Sequence, residues 1–283
     1  SARIQAKSYE EFNEYLFGKT FGKMINLLLM FMLIGVSAVM LAGAGAVFEE
    51  QLGFSKLSGV LITIILSFIV MIVGIKALFA VNTFVVPLMI TFSFILMLLS
   101  VRLPHFVDQL LFIPYVEDGW KAVIAPFSYT AFNLSLAQAV LVPVASEIND
   151  ERIIKRGGML GGAALTVILI AGHFTLIMLP DFTTYEIPMA VIMKNLASSL
   201  YWIFILIIYG EIFTSIIGNV FGLEKQIKQY IDLPKMVTVT IIFAITYTVS
   251  LFEYSRLLSY LYPLFGYISM IFIILLWMKP ENK

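Results

Sequence analysis

Apolar residues dominate eight stretches of this chain: 24–48, 57–75, 77–101, 122–146, 157–180, 196–223, 236–252 and 257–278. Each approaches or exceeds the ~20 apolar residues that a helix needs to cross a bilayer. No stretch alternates apolar and polar positions over ten residues, as a membrane barrel strand would. Lipid offers backbone N–H and C=O groups no partners, so the stretches are predicted to be helices. Pro87, Pro143 and Pro263 fall inside them, where membrane helices accept kinks. The fold class expected is an all-α polytopic membrane protein with eight visible transmembrane helices. Residues 1–20 carry no basic start followed by an apolar core, so they do not read as a signal peptide. They read as a short amphipathic helix leading into the first span.

Composition agrees with this pattern and removes other classes. Of 283 residues, 60% are apolar and 13% charged; soluble domains carry ~25% charged residues. The 18 Lys and Arg balance 18 Asp and Glu, so no basic footprint for nucleic acid exists. With no cysteine, disulfides and thiolate metal sites are excluded. There is no H-E-x-x-H or G-x-S-x-G motif, and the chain is not read as an enzyme. With the N-terminus inside, only Lys56, Arg102, Lys121, Lys194 and Arg256 of the 18 basic residues fall outside. That asymmetry orients both termini towards the cytoplasm of a cell membrane, by the positive-inside rule.

The spans repeat. Ser8-Tyr9-Glu10 precedes the first, and Thr184-Tyr185-Glu186 precedes the sixth. The first ends Gly45-Ala46-Val47-Phe48 and the sixth Gly218-Asn219-Val220-Phe221. Tyr9 and Tyr185 are 176 apart (185−9), as are Pro87 and Pro263 (263−87); Gly45 and Gly218 are 173 apart (218−45). A repeat offset by five spans is inverted across the membrane, as in many secondary transporters. It divides the chain into 1–115 and 119–283. Partners for the spans 122–146 and 157–180 would lie before Ser1. The repeat therefore predicts a ten-span 5+5 protein with two further helices, roughly 55–65 residues, ahead of this sequence; the alternative is an eight-span protein whose repeat is coincidental.

The segments GAGAVFEEQLG (Gly43–Gly53), SYTAFNLSLAQAVLVPVASEI (Ser128–Ile148) and YGEIFTSIIGNVFGL (Tyr209–Leu223) resemble the YkvI-type family of bacterial membrane proteins. The 5+5 repeat resembles the leucine-transporter fold of the amino acid–polyamine–cation superfamily. The resemblance runs from family helix three to helix ten and lacks helices one and two. It implies a secondary active transporter of a small polar organic solute, an amino acid among the candidates, coupled to Na⁺ or H⁺. A non-transporting receptor or scaffold is the alternative. The implied partners are a small-molecule substrate and the bilayer, with no cofactor beyond the coupling ion.

Candidate site residues follow. Ser128, Tyr129, Thr130, Asn133 and Ser135 place five hydrogen-bonding side chains at the middle of 122–146, walled by Phe127 and Phe132. Such residues compete for backbone partners, and the resembled fold breaks its sixth helix here, so a helix break is expected. The competing reading is an intact helix bonded to its neighbours. Glu211, Thr214, Ser215 and Asn219 share one helical face. Glu211 is the only formally charged residue in any span, and an intramembrane carboxylate is a functional candidate by default. The resemblance places a sodium site at Thr214 and Ser215; alternatively, both hydroxyls bond the preceding turn. His173 reads as an interhelical donor, and Glu147 as a cytoplasmic end residue. Gly35, Ala38, Ala42 and Gly45 form a small-residue stripe for helix packing, as do Gly157, Gly158, Gly161 and Gly162. In the resembled fold, Ala42 or Gly45 would shape the pocket floor.

The orientation is checked by single cysteines placed in this cysteine-free chain. Those beside Lys155 and Lys228 should react only with membrane-permeant reagents. Those beside Asp108 and Thr183 should react with impermeant ones. The opposite labelling would overturn both the orientation and the inverted sense of the repeat.

Overall fold

A computed structural model describes residues 9–112, 119–148 and 150–278. All regular structure among them is helical: α1 (Tyr9–Phe17), α2 (Lys19–Ala46), α3 (Lys56–Val73), α4 (Ile75–Val101), α5 (Phe106–Leu111), α6 (Gly119–Ile148), α7 (Glu151–Leu176), α8 (Pro188–Leu196), α9 (Tyr201–Tyr230), α10 (Lys235–Ser250) and α11 (Tyr254–Met278). A π-helical turn, Val47–Gln51, extends α2. The eight apolar stretches fall on α2, α3, α4, α6, α7, α9, α10 and α11. Among the described residues, six helical segments are long and apolar enough to cross a membrane: Lys19–Gln51, Lys56–Val73, Phe79–Val101, Glu151–Leu176, Ser198–Tyr230 and Arg256–Leu275. Helix α10 is apolar but has 16 residues, which is ~24 Å at 1.5 Å per residue. Helix α6 has 30 residues and carries the polar stretch.

Polar residues inside these helices are tolerated because they bond locally. Thr63, Thr91, Thr166 and Thr248 each donate to the carbonyl four residues earlier, at 2.7–2.9 Å. Gly74 separates α3 from α4 with φ +98°, a conformation that only glycine adopts without steric cost.

The residues form two compact units. The first comprises Ser1–Leu41, Tyr115–Ile154 and Ile216–Lys283. Its centre is aromatic: Phe132 of α6 lies 4.9 Å from Tyr262 and 6.1 Å from Phe265 of α11. Helix α1 adds a buried face of Tyr9, Glu10 and Asn13. The second unit comprises Ala42–Pro114 and Lys155–Ser215. Phe92 of α4 stacks on Phe204 of α9 at 5.9 Å, and Phe48 meets Tyr209 at 5.6 Å.

The element order recurs along the chain. Helices α1, α2, α3 and α4 have 9, 28, 18 and 27 residues; α8, α9, α10 and α11 have 9, 30, 16 and 25. A packing contact recurs with it. In the first unit, a Cβ added to Gly35 would lie 2.7 Å from the Phe265 ring and 3.6 Å from Leu261. In the second, a Cβ on Gly210 would lie 3.0 Å from Val85. Gly35 and Gly210 are 175 apart (210−35), and Val85 and Leu261 are 176 apart (261−85). Each glycine lets a long helix approach a proline-containing one. The α7 glycines behave differently: a Cβ on Gly157, Gly158, Gly161 or Gly162 would meet nothing within 4 Å. The expected packing role for them finds no contact among the described residues.

Overpacking a full core position costs about 1–3 kcal/mol. Gly35→Val should therefore lower the melting temperature of the purified protein by several degrees. Gly157→Ala should leave it within ~0.5 kcal/mol of wild type, as expected for a position without contacts.

Candidate functional site

Helix α9 is built around Glu211, the carboxylate that the sequence singles out. Glu211 is half-buried, Thr214 buried, and Ser215 and Asn219 half-buried. Thr214 Oγ1 donates to the Glu211 carbonyl at 3.2 Å, so this hydroxyl is used by its own helix. That leaves the Glu211 carboxylate without a hydrogen-bond partner among the described residues. Its ability to exchange a proton or to ligate a cation is therefore not consumed by structure. Tyr209, two residues earlier, bonds elsewhere: its hydroxyl meets Thr63 Oγ1 of α3 at 2.9 Å. Thr63 in turn donates to the Gly59 carbonyl at 2.7 Å, so Tyr209 is the donor to Thr63. Phe48 and Phe213 flank the Tyr209 ring at 5.6 and 6.2 Å. No sequence pattern signals this pair, whose members are 146 residues apart.

Glu211, Thr214, Ser215, Ala42 and Gly45 all belong to the second unit. Ala42 is wholly buried. Gly45 packs on α3: an added Cβ would lie 2.7 Å from Lys56 Cγ and 3.1 Å from Val60 Cγ2. Its small size serves the α2–α3 approach, as the packing stripe predicts. At the end of α2, Tyr201 donates to Gln51 Oε1 at 2.6 Å, a bond that the sequence does not reveal. His173 is exposed, its ring 6.2 Å from that of Phe174, rather than an interhelical donor.

The α6 residues and Asn219 belong to the first unit. The expected break in α6 does not occur: the helix is continuous from Gly119 to Ile148. The reason is local. Thr130 Oγ1 donates to the Pro126 carbonyl, and Asn133 Nδ2 to the Tyr129 carbonyl, both at 2.8 Å. Polar side chains thus bond within the helix rather than disrupting it. Phe127, Tyr129 and Thr130 are exposed; Ser128, Phe132 and Ser135 are buried. Gly266 of α11 closes over Ser128. Ser135 Oγ is buried without a partner and lines a cavity of ≈ 200 Å³ with Met32, Ser269 and Phe272. The Glu147 side chain lies outside the described residues.

Long apolar helices with locally bonded polar groups and one central carboxylate define a polytopic α-helical membrane protein. The chain is 48% identical over 273 residues to YkvI, an uncharacterized membrane protein of Bacillus subtilis (strain 168), covering 96% of this chain and 78% of that protein. It is 22% identical over 282 residues to the uncharacterized protein YyaD of the same organism, covering 99% and 81%. No family model and no solved structure matches. The chain belongs to the YkvI-type membrane protein family.

The Tyr209–Thr63 bond gives a direct test of packing around the carboxylate. A hydrogen bond of this kind contributes about 1 kcal/mol. Tyr209→Phe and Thr63→Val should each lower stability by that order. The double variant should cost less than the sum of the two single changes, measured as a double-mutant cycle on thermal unfolding.

Proposed function

We propose that this protein is a secondary active transporter of a small polar organic solute, with amino acids the leading class, coupled to Na⁺ or H⁺. The observation that carries this reading is Glu211. It is a half-buried carboxylate on a spanning helix, without a hydrogen-bond partner among the described residues, on the face that carries Thr214 and Ser215. A carboxylate in that setting is costly and is best explained by use.

The recurring helix lengths and the paired Gly35 and Gly210 contacts support a chain of two related halves, 1–115 and 119–283. On this reading all eight apolar helices cross the membrane. The halves correspond to helices three to ten of a 5+5 leucine-transporter fold in the amino acid–polyamine–cation superfamily. Both termini lie in the cytoplasm, and the protein sits in the cell membrane. Substrate contacts come from Ser128, Tyr129, Thr130, Asn133 and Ser135 of the first unit, walled by Phe127 and Phe132. Thr214, Ser215, Asn219 and Glu211 handle the ion or proton. No cofactor and no covalent chemistry is invoked.

One observation favours a second reading. Helix α6 is unbroken, and its Thr130 and Asn133 bond their own helix. A receptor or scaffold on the same architecture would need no opened backbone there. Fold alone does not assign function.

Uptake of pooled labelled amino acids into proteoliposomes, under imposed Na⁺ or pH gradients, decides between them. If protons are coupled, Glu211→Gln should abolish concentrative uptake and spare exchange. If Na⁺ is coupled, Ser215→Ala should raise the Na⁺ requirement with little change in pH dependence. Neither uptake nor exchange above that of protein-free liposomes, under either gradient, would favour the non-transporting reading.

A further inference from the structure

Helix α1 precedes the first span and hides an unusually polar face. Tyr9, Glu10 and Asn13 are 2%, 8% and 0% exposed, and their spacing puts all three on one side of the helix. Asn13 Nδ2 donates to Asn26 Oδ1 of α2 at 2.8 Å. Gln226 Nε2 of α9 donates to Glu10 Oε2 at 3.0 Å. The Tyr230 hydroxyl is within hydrogen-bonding reach of Glu10 and Gln226. Helix α1 also packs on α6, which carries the buried Gln138. All of these residues lie in the first unit.

These bonds leave much unsatisfied. Tyr9 Oη, Asn13 Oδ1, Asn26 Nδ2, Gln226 Oε1 and both amide atoms of Gln138 are buried without partners. A buried polar atom left without a partner keeps its full desolvation cost. Native interiors rarely keep several together without a bound water or ion.

Charge decides what fills the gap. Glu10 is buried, and its partners among the described residues, the Gln226 amide and the Tyr230 phenol, are neutral. Among the described residues no Lys, Arg or His forms an ion pair with it. Of the basic groups on neighbouring turns, Lys23 is exposed and lines a surface cleft with Tyr230, and Lys225 Nζ sits 5.5 Å from the Phe221 ring. Burial, with Tyr230 and Glu10 beside it, holds the Tyr9 phenol above its ordinary range, so it stays neutral. Water would satisfy the amides but not the charge, and a buried unpaired charge is far costlier than a buried amide.

Two of the unpaired atoms are acceptor oxygens, Asn13 Oδ1 and Gln226 Oε1, alongside the Glu10 carboxylate. Hard cations select oxygen ligands, and a single carboxylate balances a single positive charge. We propose that the cluster beneath α1 binds one alkali-metal cation, Na⁺ or K⁺, which pins α1 against α2 and α9. The site is separate from Thr214 and Ser215, since Gln226 lies 11 residues further along α9 than Ser215 (226−215), ~16 Å at 1.5 Å per residue. It does not depend on whether the protein transports.

The test is thermal unfolding of the purified protein in NaCl, KCl or choline chloride at equal ionic strength. Wild type should gain stability saturably with Na⁺ or K⁺ and not with choline, and the more effective salt identifies the ion. Glu10→Gln removes the uncompensated charge. It should be more stable than wild type in choline and should lose the response to Na⁺ and K⁺. Asn13→Ala, a milder change, should shift the cation midpoint at least tenfold upward. Gly157→Ala, on the open side of α7, should keep the full response. Amide exchange over residues 9–17 should slow only in the effective salt. Equal stability in all three salts would overturn the proposal and leave only water in the cluster. So would a Glu10→Gln variant that keeps the cation response, or one less stable than wild type in choline. Stabilisation by acid alone would assign the charge to a proton and would likewise overturn it.

Discussion

Every polar group in this chain must find a partner without help from solvent along most of its length. Lipid supplies none, so helices are compulsory and side-chain hydroxyls turn inward on their own helix. Threonines 63, 83, 91, 130, 166, 175, 240, 246 and 248 all donate to a carbonyl four residues earlier. Against that background, groups without local partners stand out. The Glu211 carboxylate and the polar face of α1 are the two places where the rule is broken most plainly.

Helix–helix approach is the second demand. Without a hydrophobic drive inside lipid, helices associate by close fitting of small residues. Gly35 admits the Phe265 ring and Gly210 admits Val85. Gly222 does the same for Ala139 across α6 and α9, and Gly59 for Phe48 at the end of α2. Where small residues have no partner, as on α7, the side of the helix stays open.

The location of the apolar helices and their order could be read from the chain, because length and hydropathy directly reflect lipid as solvent. The offsets of Tyr9, Pro87 and Gly45 from their counterparts are matched by similar helix lengths in the two parts of the chain. What misled was the polar stretch of α6. Ser, Thr and Asn weaken a helix only if they capture backbone groups outside the regular ladder. Thr130 and Asn133 instead bond carbonyls one turn back, which a helix accepts. Composition does not separate these outcomes. Nor does it reveal pairs distant in sequence, such as Thr63 with Tyr209 or Glu10 with Gln226. The α1 segment was legible as amphipathic, but its buried side is carboxylate and amide rather than apolar, the reverse of the usual sense.

The π-helical turn at Val47–Gln51 carries a consequence of its own. A π turn accommodates one residue more than the α geometry around it. Gain or loss of a residue at that point rotates everything beyond it by about 100° while the apolar body of α2 keeps its register. Glu49, Glu50 and Gln51 are therefore set in azimuth independently of the span below them. The contact of Gln51 with Tyr201 fixes one such setting. A change of length here would re-aim the acidic end of α2 and would have to be absorbed where Phe48 packs on Gly59 and Tyr209.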